Sequence, residues 1–335
     1  MYHLGQSSIF ANFRALYPPR CFARHGSVLN TPTMPVNIPD KLPAKEILER
    51  ENVFIMSESR AKNQDIRPLK IAILNLMPIK ITTETHLLRM LSNSPLQVEV
   101  TLIAPSGRDF RNTPQSHLDE FYVHFDDVRQ KRFDGLIITG APVEHFNFEE
   151  VDYWDEICEI FDWADTNVTS MFTICWGAQA ALYHYYGIPK FPTEHKIFGV
   201  FEHTVHDKNV PLLRGFDDVF MAPHSRHTGT RIEDIQACEE LQVLSTSHGA
   251  GLYLAISQDS RRIFVTGHSE YDPLTLKEEY DRDISRGLEI DIPENYFPND
   301  DPSLTPPQRW RSHGSLLYSN WLNYYVYQNT PYDIG

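Results

Sequence analysis

Cys175 ends the apolar run VTSMFTIC and is followed within two residues by Gly177 and a helix-forming Ala/Leu/Tyr pattern. Far along the chain, a second apolar run, RRIFVTG, ends in His268-Ser269-Glu270. A thiol, an imidazole and a carboxylate are the parts of a nucleophilic triad: the base takes the proton of the thiol and the carboxylate orients the base. A lone cysteine after an apolar strand is ordinarily a small core residue, and His-x-Glu alone is common in solvated loops. Cys175 differs in standing at a strand-to-helix corner. A tight turn there lifts its apical side chain clear of the sheet, and Gly177 permits the close packing such a turn needs. The helix start that follows offers unpaired N–H groups and a positive dipole end, which lower a thiol pKa and can hold an oxyanion. If His268 and Glu270 lie on an extended segment, residues two apart point the same way, so the carboxylate can reach the ring.

Elements must bring these groups together. Strand patterns fall at Lys70–Leu76, Val98–Ala104, Leu136–Thr139, Val168–Ile174, Asp218–Ala222, Leu241–Ser245, Leu252–Ile256 and Ile263–Thr266. Helical patterns fall at Glu84–Ser92, Asp119–Gln130, Tyr153–Asp165, Gly177–Tyr186, Ile232–Glu239, Leu274–Arg286 and Ser319–Gln328. The first four strands are continuous apolar runs, as expected where helices cover both faces, and their alternation with helices predicts an α/β fold with a mostly parallel sheet. Ligands and chemistry then collect at the carboxyl ends of strands, where Cys175 and the Gly140-Ala141-Pro142 turn both fall.

The 335 residues carry a formal charge of −15, which argues against a nucleic-acid binder but leaves room for an anionic small ligand. The four cysteines are widely spaced, with neither a disulfide framework nor a zinc spacing. Free thiols in a reducing, cytoplasmic compartment are expected, and no apolar run approaches a membrane span. His224 and His227 in HSRHT lack a nearby acidic ligand, so no metal is expected. Residues 1–33 hold Arg14, Arg20 and Arg24 and no acid, leaving −18 on the rest once these three positive charges are set apart from −15. That composition fits a transit-like segment or a start placed upstream of Met34. The latter is the expectation, and a single domain is expected over 34–335 with a C-terminal helical extension.

The blocks LNLMPIK, TGAPVE, FEEVDYW, ICWGAQ, APHSRHT, GHSEYD, RWRSHG and NWLNYYVYQ, in this order from about Met34 to the C-terminus, closely resemble the homoserine O-acyltransferases of bacterial methionine biosynthesis. That family has the class I glutamine amidotransferase-like fold, which is flavodoxin-like. The resemblance implies that Cys175 carries an acyl-thioester, that His268 accepts the proton and that Glu270 is its partner. It implies Lys80 near the thioester oxygen, the Trp176 N–H as oxyanion donor, and Lys196, Ser225 and Arg282 as substrate-binding residues. The implied reaction is ping-pong: acyl-CoA acylates the thiol, CoA leaves, and the hydroxyl of L-homoserine attacks. No further cofactor is implied, and a homodimer is.

The family divides between acetyl and succinyl donors, with glutamate or glycine respectively at the position of Glu144 in TGAPVE. Succinyl ends in a carboxylate, and two like charges about 4 Å apart repel by roughly 4 kcal/mol at an effective dielectric near 20. That is on the order of a thousandfold in rate, and glutamate also fills space the longer acyl group needs. Acetyl-CoA is therefore the expected donor, with homoserine O-succinyltransferase as the alternative. A glutaminase using the same three residues is a further rival, as is a non-catalytic binding protein on the same fold.

Overall fold

The computed structural model describes residues 36–39, 41–51, 55–57, 67–106 and 112–331; the expectations for residues 1–33 lie outside them. The strands are β1 (Val36–Ile38), β2 (Ile55–Ser57), β3 (Leu69–Leu74), β4 (Val98–Ala104), β5 (Tyr122–His124), β6 (Phe133–Ile138), β7 (Val168–Ile174), β8 (Phe191–Val205), β9 (Val219–Gly229), β10 (Leu241–Ser247), β11 (Gly251–Ser257) and β12 (Arg262–Val265). They form one sheet in the order β2-β1-β4-β3-β6-β7-β12-β11-β10-β8-β9, with β5 beside β4. Every pairing from β2 to β12 is parallel. Every pairing from β12 to β9 is antiparallel.

The continuous apolar runs arise because both faces of the parallel half are covered. Ile71 and Ile73 of β3, Ile137 of β6 and Phe172 and Ile174 of β7 pack with Leu87, Leu88 and Leu91 of the helix Lys80–Leu91 and with Trp321 near the C-terminus. The alternate residues Ala72, Leu74, Leu136, Ile138 and Met171 pack with Ile157, Ile160 and Phe161 of the helix Trp154–Asn167 and with Ala178–Leu182 of the helix Trp176–Tyr186. The period of two in each strand thus feeds two layers of core.

Three expectations need correction. Asp119–Gln130 is not one helix: a helix Gln115–Phe121 gives way to β5 and a single 3-10 turn, Phe125–Asp127. Tyr122 and Val123 favour extended backbone, and pairing of Tyr122–His124 with Leu102–Ala104 of β4 settles it. The long strand β8 was not expected, because FPTEHKIFGVFEHTV mixes Pro, Gly and charged residues with its apolar ones. It is held by antiparallel pairing with β9, whose register shifts between Pro192 and Ile197. Finally, β9 extends to Gly229, well past Ala222.

The adjacent strands β3, β6, β7 and β12 deliver to one edge the four segments that matter: Asn75–Lys80, the Gly140 turn, Cys175 and His268. Gly177 locks two of these together. A Cβ there would stand 2.7 Å from the Thr139 carbonyl oxygen and 3.0 Å from that of Ile138, backbone atoms that cannot swing aside. Gly177→Ala is expected to lower stability by about 1–3 kcal/mol, read as a lower urea midpoint at unchanged m-value.

Candidate active site

Cys175 has φ 51° and ψ −116°, a conformation L-residues rarely adopt. Such strain costs on the order of 1–3 kcal/mol and persists only when the surroundings enforce it. Here they do so from both sides. The Cys175 N–H donates to the Val265 oxygen at 2.7 Å, and its carbonyl accepts from the N–H groups of Ala178 (3.0 Å) and Gln179 (3.1 Å). The nucleophile is thus pinned between β12 and the first turn of its own helix. Gly140 completes the corner, since a Cβ on it would lie 3.2 Å from Cys175 Cβ and 3.7 Å from both Cys175 Sγ and His268 Cε1.

His268 and Glu270 meet through a turn rather than along an extended strand: the Tyr271 N–H closes onto the His268 carbonyl at 3.1 Å. The expected reach survives, with His268 Nδ1 donating to Glu270 Oε1 at 2.7 Å. The Cys175 sulfur lies near enough to the ring to favour its protonated form. Burial alone would push the imidazole pKa down; the Glu270 carboxylate and the Cys175 sulfur outweigh it and hold the ring well above its ordinary value. The charged ring lies flat against Tyr271, with centroids 4.2 Å apart and planes 17° from parallel. His86, also against this cavity, is pushed by burial down to about 4 and stays neutral.

Cys175, His268, Glu144, Lys196, Ser225 and Arg282 all line one cavity of about 380 Å3, a size suited to small-molecule chemistry. Arg282 is held by its neighbour Asp283, Nε to Oδ1 at 2.7 Å and Nη2 to Oδ2 at 3.0 Å. Lys196 Nζ lies 3.6 Å from Glu279 and 3.9 Å from Asp283. Ser225 donates to Glu279 Oε2 at 2.5 Å, and the Tyr271 hydroxyl to Glu279 Oε1 at 3.2 Å.

Sequence reasoning missed Glu279. It sits in the charged helix Thr275–Ser285, three residues before Arg282. The i,i+3 spacing puts both on one helix face, and that was the available clue. Tyr271 was missed too, although it directly follows Glu270.

Two candidates stand apart from the cavity. Lys80 is fully buried at the start of its helix; its Nζ donates to the Asn75 carbonyl at 2.6 Å and to that of Met77 at 3.5 Å. It braces the loop whose residues Met77, Pro78 and Ile79 form one cavity wall. The Trp176 indole packs against Phe148, Tyr153 and Trp154 on the far face of the turn. The group Trp176 presents beside Cys175 is its backbone N–H, the first of the helix.

The sheet order and the helices on its faces define a class I glutamine amidotransferase-like fold. A glutamine amidotransferase of Thermotoga maritima superposes with a TM-score of 0.51 at 12% identity, covering 77% of this chain and 98% of that one, a likeness of fold alone. A family profile described as homoserine O-succinyltransferase matches residues 35–332, and the chain belongs to that family. A homoserine O-acetyltransferase of Acetivibrio thermocellus is 60% identical over 302 residues, 90% of this chain and 99% of its own. Another, of Geobacillus kaustophilus, is 62% identical over 300 residues, 90% and 99% of the two chains.

Proposed function

We propose that the protein is a homoserine O-acetyltransferase that works through a Cys175 thioester. The observation that carries this is one cavity joining Cys175 and His268, which Glu270 orients, to the pair Glu279 and Arg282. The first set can move an acyl group; the second matches the ammonium and carboxylate of an amino acid.

The Cys175 thiolate attacks the acetyl-CoA carbonyl, and the developing oxyanion is met by the Trp176 backbone N–H. CoA leaves as a thiolate that takes the His268 proton. Homoserine then enters, with its ammonium on Glu279 and its carboxylate on the planar fork of Arg282; Lys196 and Ser225 hold Glu279 in place. His268, now neutral, accepts the hydroxyl proton as that oxygen attacks the thioester. The tetrahedral intermediate expels the Cys175 thiolate, and O-acetyl-L-homoserine leaves. Lys80 acts through the loop it braces. Acetyl is favoured because Glu144 borders the cavity and because the curated relatives reported above carry that name.

The deciding experiment follows CoA release with L-homoserine, offering acetyl-CoA and succinyl-CoA in parallel and glutamine alone as a third arm. Acetyl-CoA is expected to exceed succinyl-CoA by about 100-fold or more in kcat/KM. A succinyl preference overturns the donor, and glutamine hydrolysis without CoA release overturns the transferase. Arg282→Leu is expected to lower kcat/KM for homoserine roughly 10- to 100-fold, the loss of a charge-assisted contact. Thioester formation from acetyl-CoA alone, read by intact mass, is expected to persist in that variant.

The same reading makes the chain a cytoplasmic homodimer that needs no cofactor beyond its two substrates. Light scattering at twice 38.8 kDa is the expected result for the assembly, and activity undiminished by chelators the expected result for the chemistry. Among the described residues no helix is long and apolar enough to cross a membrane.

A further inference from the structure

Tyr271 is buried, and distant parts of the chain hold it. It packs with Phe198 and Val200 of β8 and with Leu276, Tyr296 and Trp310. Its N–H closes the turn onto His268, and its carbonyl accepts the Trp310 indole N–H at 3.0 Å. Packing of this kind would hold a phenylalanine equally well. It does not account for what the ring and the hydroxyl each touch.

The ring lies on the His268 imidazole, almost parallel to it and 4.2 Å away, while the neutral His86 ring stands 5.9 Å off and tilted by 50°. The electron-rich face of a phenol attracts a cation within about 6 Å, so this contact favours the imidazolium. The hydroxyl leads to Glu279, donating to Oε1 at 3.2 Å. Tyr271 keeps its proton, because burial and the charges of Glu279, Glu270 and the Cys175 sulfur hold its pKa well above the ordinary value. Ser225 and Lys196 both approach Glu279 at its other oxygen, Oε2. Among the described residues, Tyr271 alone donates to Oε1.

We propose that Tyr271 couples the two halves of the reaction: its ring steadies the charged His268 on which thioester formation depends, and its hydroxyl fixes the Glu279 carboxylate that receives the ammonium of homoserine. It acts through His268 and Glu279 and is a positioning residue for both. The inference rests on the acetyl-transfer reading above and deepens it. Because ring and hydroxyl serve different steps, they can be removed one at a time.

Tyr271→Phe removes the hydroxyl and keeps the ring; Tyr271→Leu and Tyr271→Met remove both, and thermal melts identify which of these two folds. The experiment measures single-turnover acetylation of Cys175 by acetyl-CoA, read by intact mass, and the steady-state KM and kcat for homoserine. Tyr271→Phe is expected to acetylate within about threefold of the parent while its KM for homoserine rises about tenfold, the loss of a hydrogen bond to a charged group. The Leu or Met variant is expected to show the same rise in KM and also to acetylate about tenfold more slowly, the loss of a cation held on an aromatic face. A general loss of packing would not give this split, since Phe would then restore both steps together. Acetylation slowed as much in Tyr271→Phe as in the Leu or Met variant overturns the proposal. So does a homoserine KM unchanged in Tyr271→Phe, or acetylation at the parent rate without the ring. A parent that forms no thioester from acetyl-CoA, or passes no acetyl to homoserine, overturns the underlying reading instead, so the two failures are distinct.

Discussion

Cys175→Ala is expected to lower kcat/KM for acetyl transfer to homoserine by about 10^4-fold or more, the scale reached when a covalent nucleophile is removed. Alanine leaves the cavity and the amino-acid contacts in place, so what remains is direct attack of homoserine on bound acetyl-CoA, helped by His268 as base, the Trp176 N–H and substrate proximity. The fold should tolerate the change. The strained backbone at position 175 is imposed by its bonds to Val265, Ala178 and Gln179, all made by main-chain atoms that alanine retains. Two measurements check the account together: steady-state CoA release, and the intact mass after acetyl-CoA is added without homoserine. The parent is expected to gain one acetyl group and the variant none. Turnover within tenfold of the parent would remove Cys175 from the chemistry.

How much of this was legible in the sequence follows from which contacts are local. Val168–Ile174 announces itself as a doubly covered strand, and the Cys175–Gly177 corner is visible because a buried strand does not otherwise need a thiol followed by glycine. His268 and Glu270 are two residues apart, so their meeting was foreseeable even though a turn, rather than an extended strand, brings it about. The parallel half of the sheet repeats one local rule, and the site falls at its carboxyl edge. The antiparallel half obeys no such rule. The strand β8 reads as a broken polar segment until β9 pairs with it, and the Glu144 carboxylate accepts from the His227 N–H and the Thr228 hydroxyl because β9 carries both to a turn more than 80 residues earlier. Lys80 shows the opposite limit: the residue was visible, but the direction of its side chain depends on where Asn75 and Met77 place their carbonyls.

Glu270→Gln is expected to lower kcat by about 10^3- to 10^4-fold, in line with the loss seen when the carboxylate of a triad becomes an amide. The reason lies in the charge state of His268. Burial works against the imidazolium, and Glu270 is the largest of the influences that favour it, followed by the Cys175 sulfur. In the first half-reaction the imidazolium must protonate the departing CoA, so the competent form is lost as pH rises through the raised His268 pKa. Removing Glu270 lowers that pKa, and the alkaline limb of thioester formation should move to lower pH. Stability carries the same sign. A histidine whose native pKa lies above its unfolded value of about 6.5 contributes stability fully below that value and loses it as pH climbs through the native one. The variant's stability deficit should therefore be greatest under mildly acidic conditions and shrink in alkali. Single-turnover acetylation and urea midpoints, both measured across pH, test the two halves of the argument. An alkaline limb that stays where it was in Glu270→Gln would mean that some other group sets the charge on the ring.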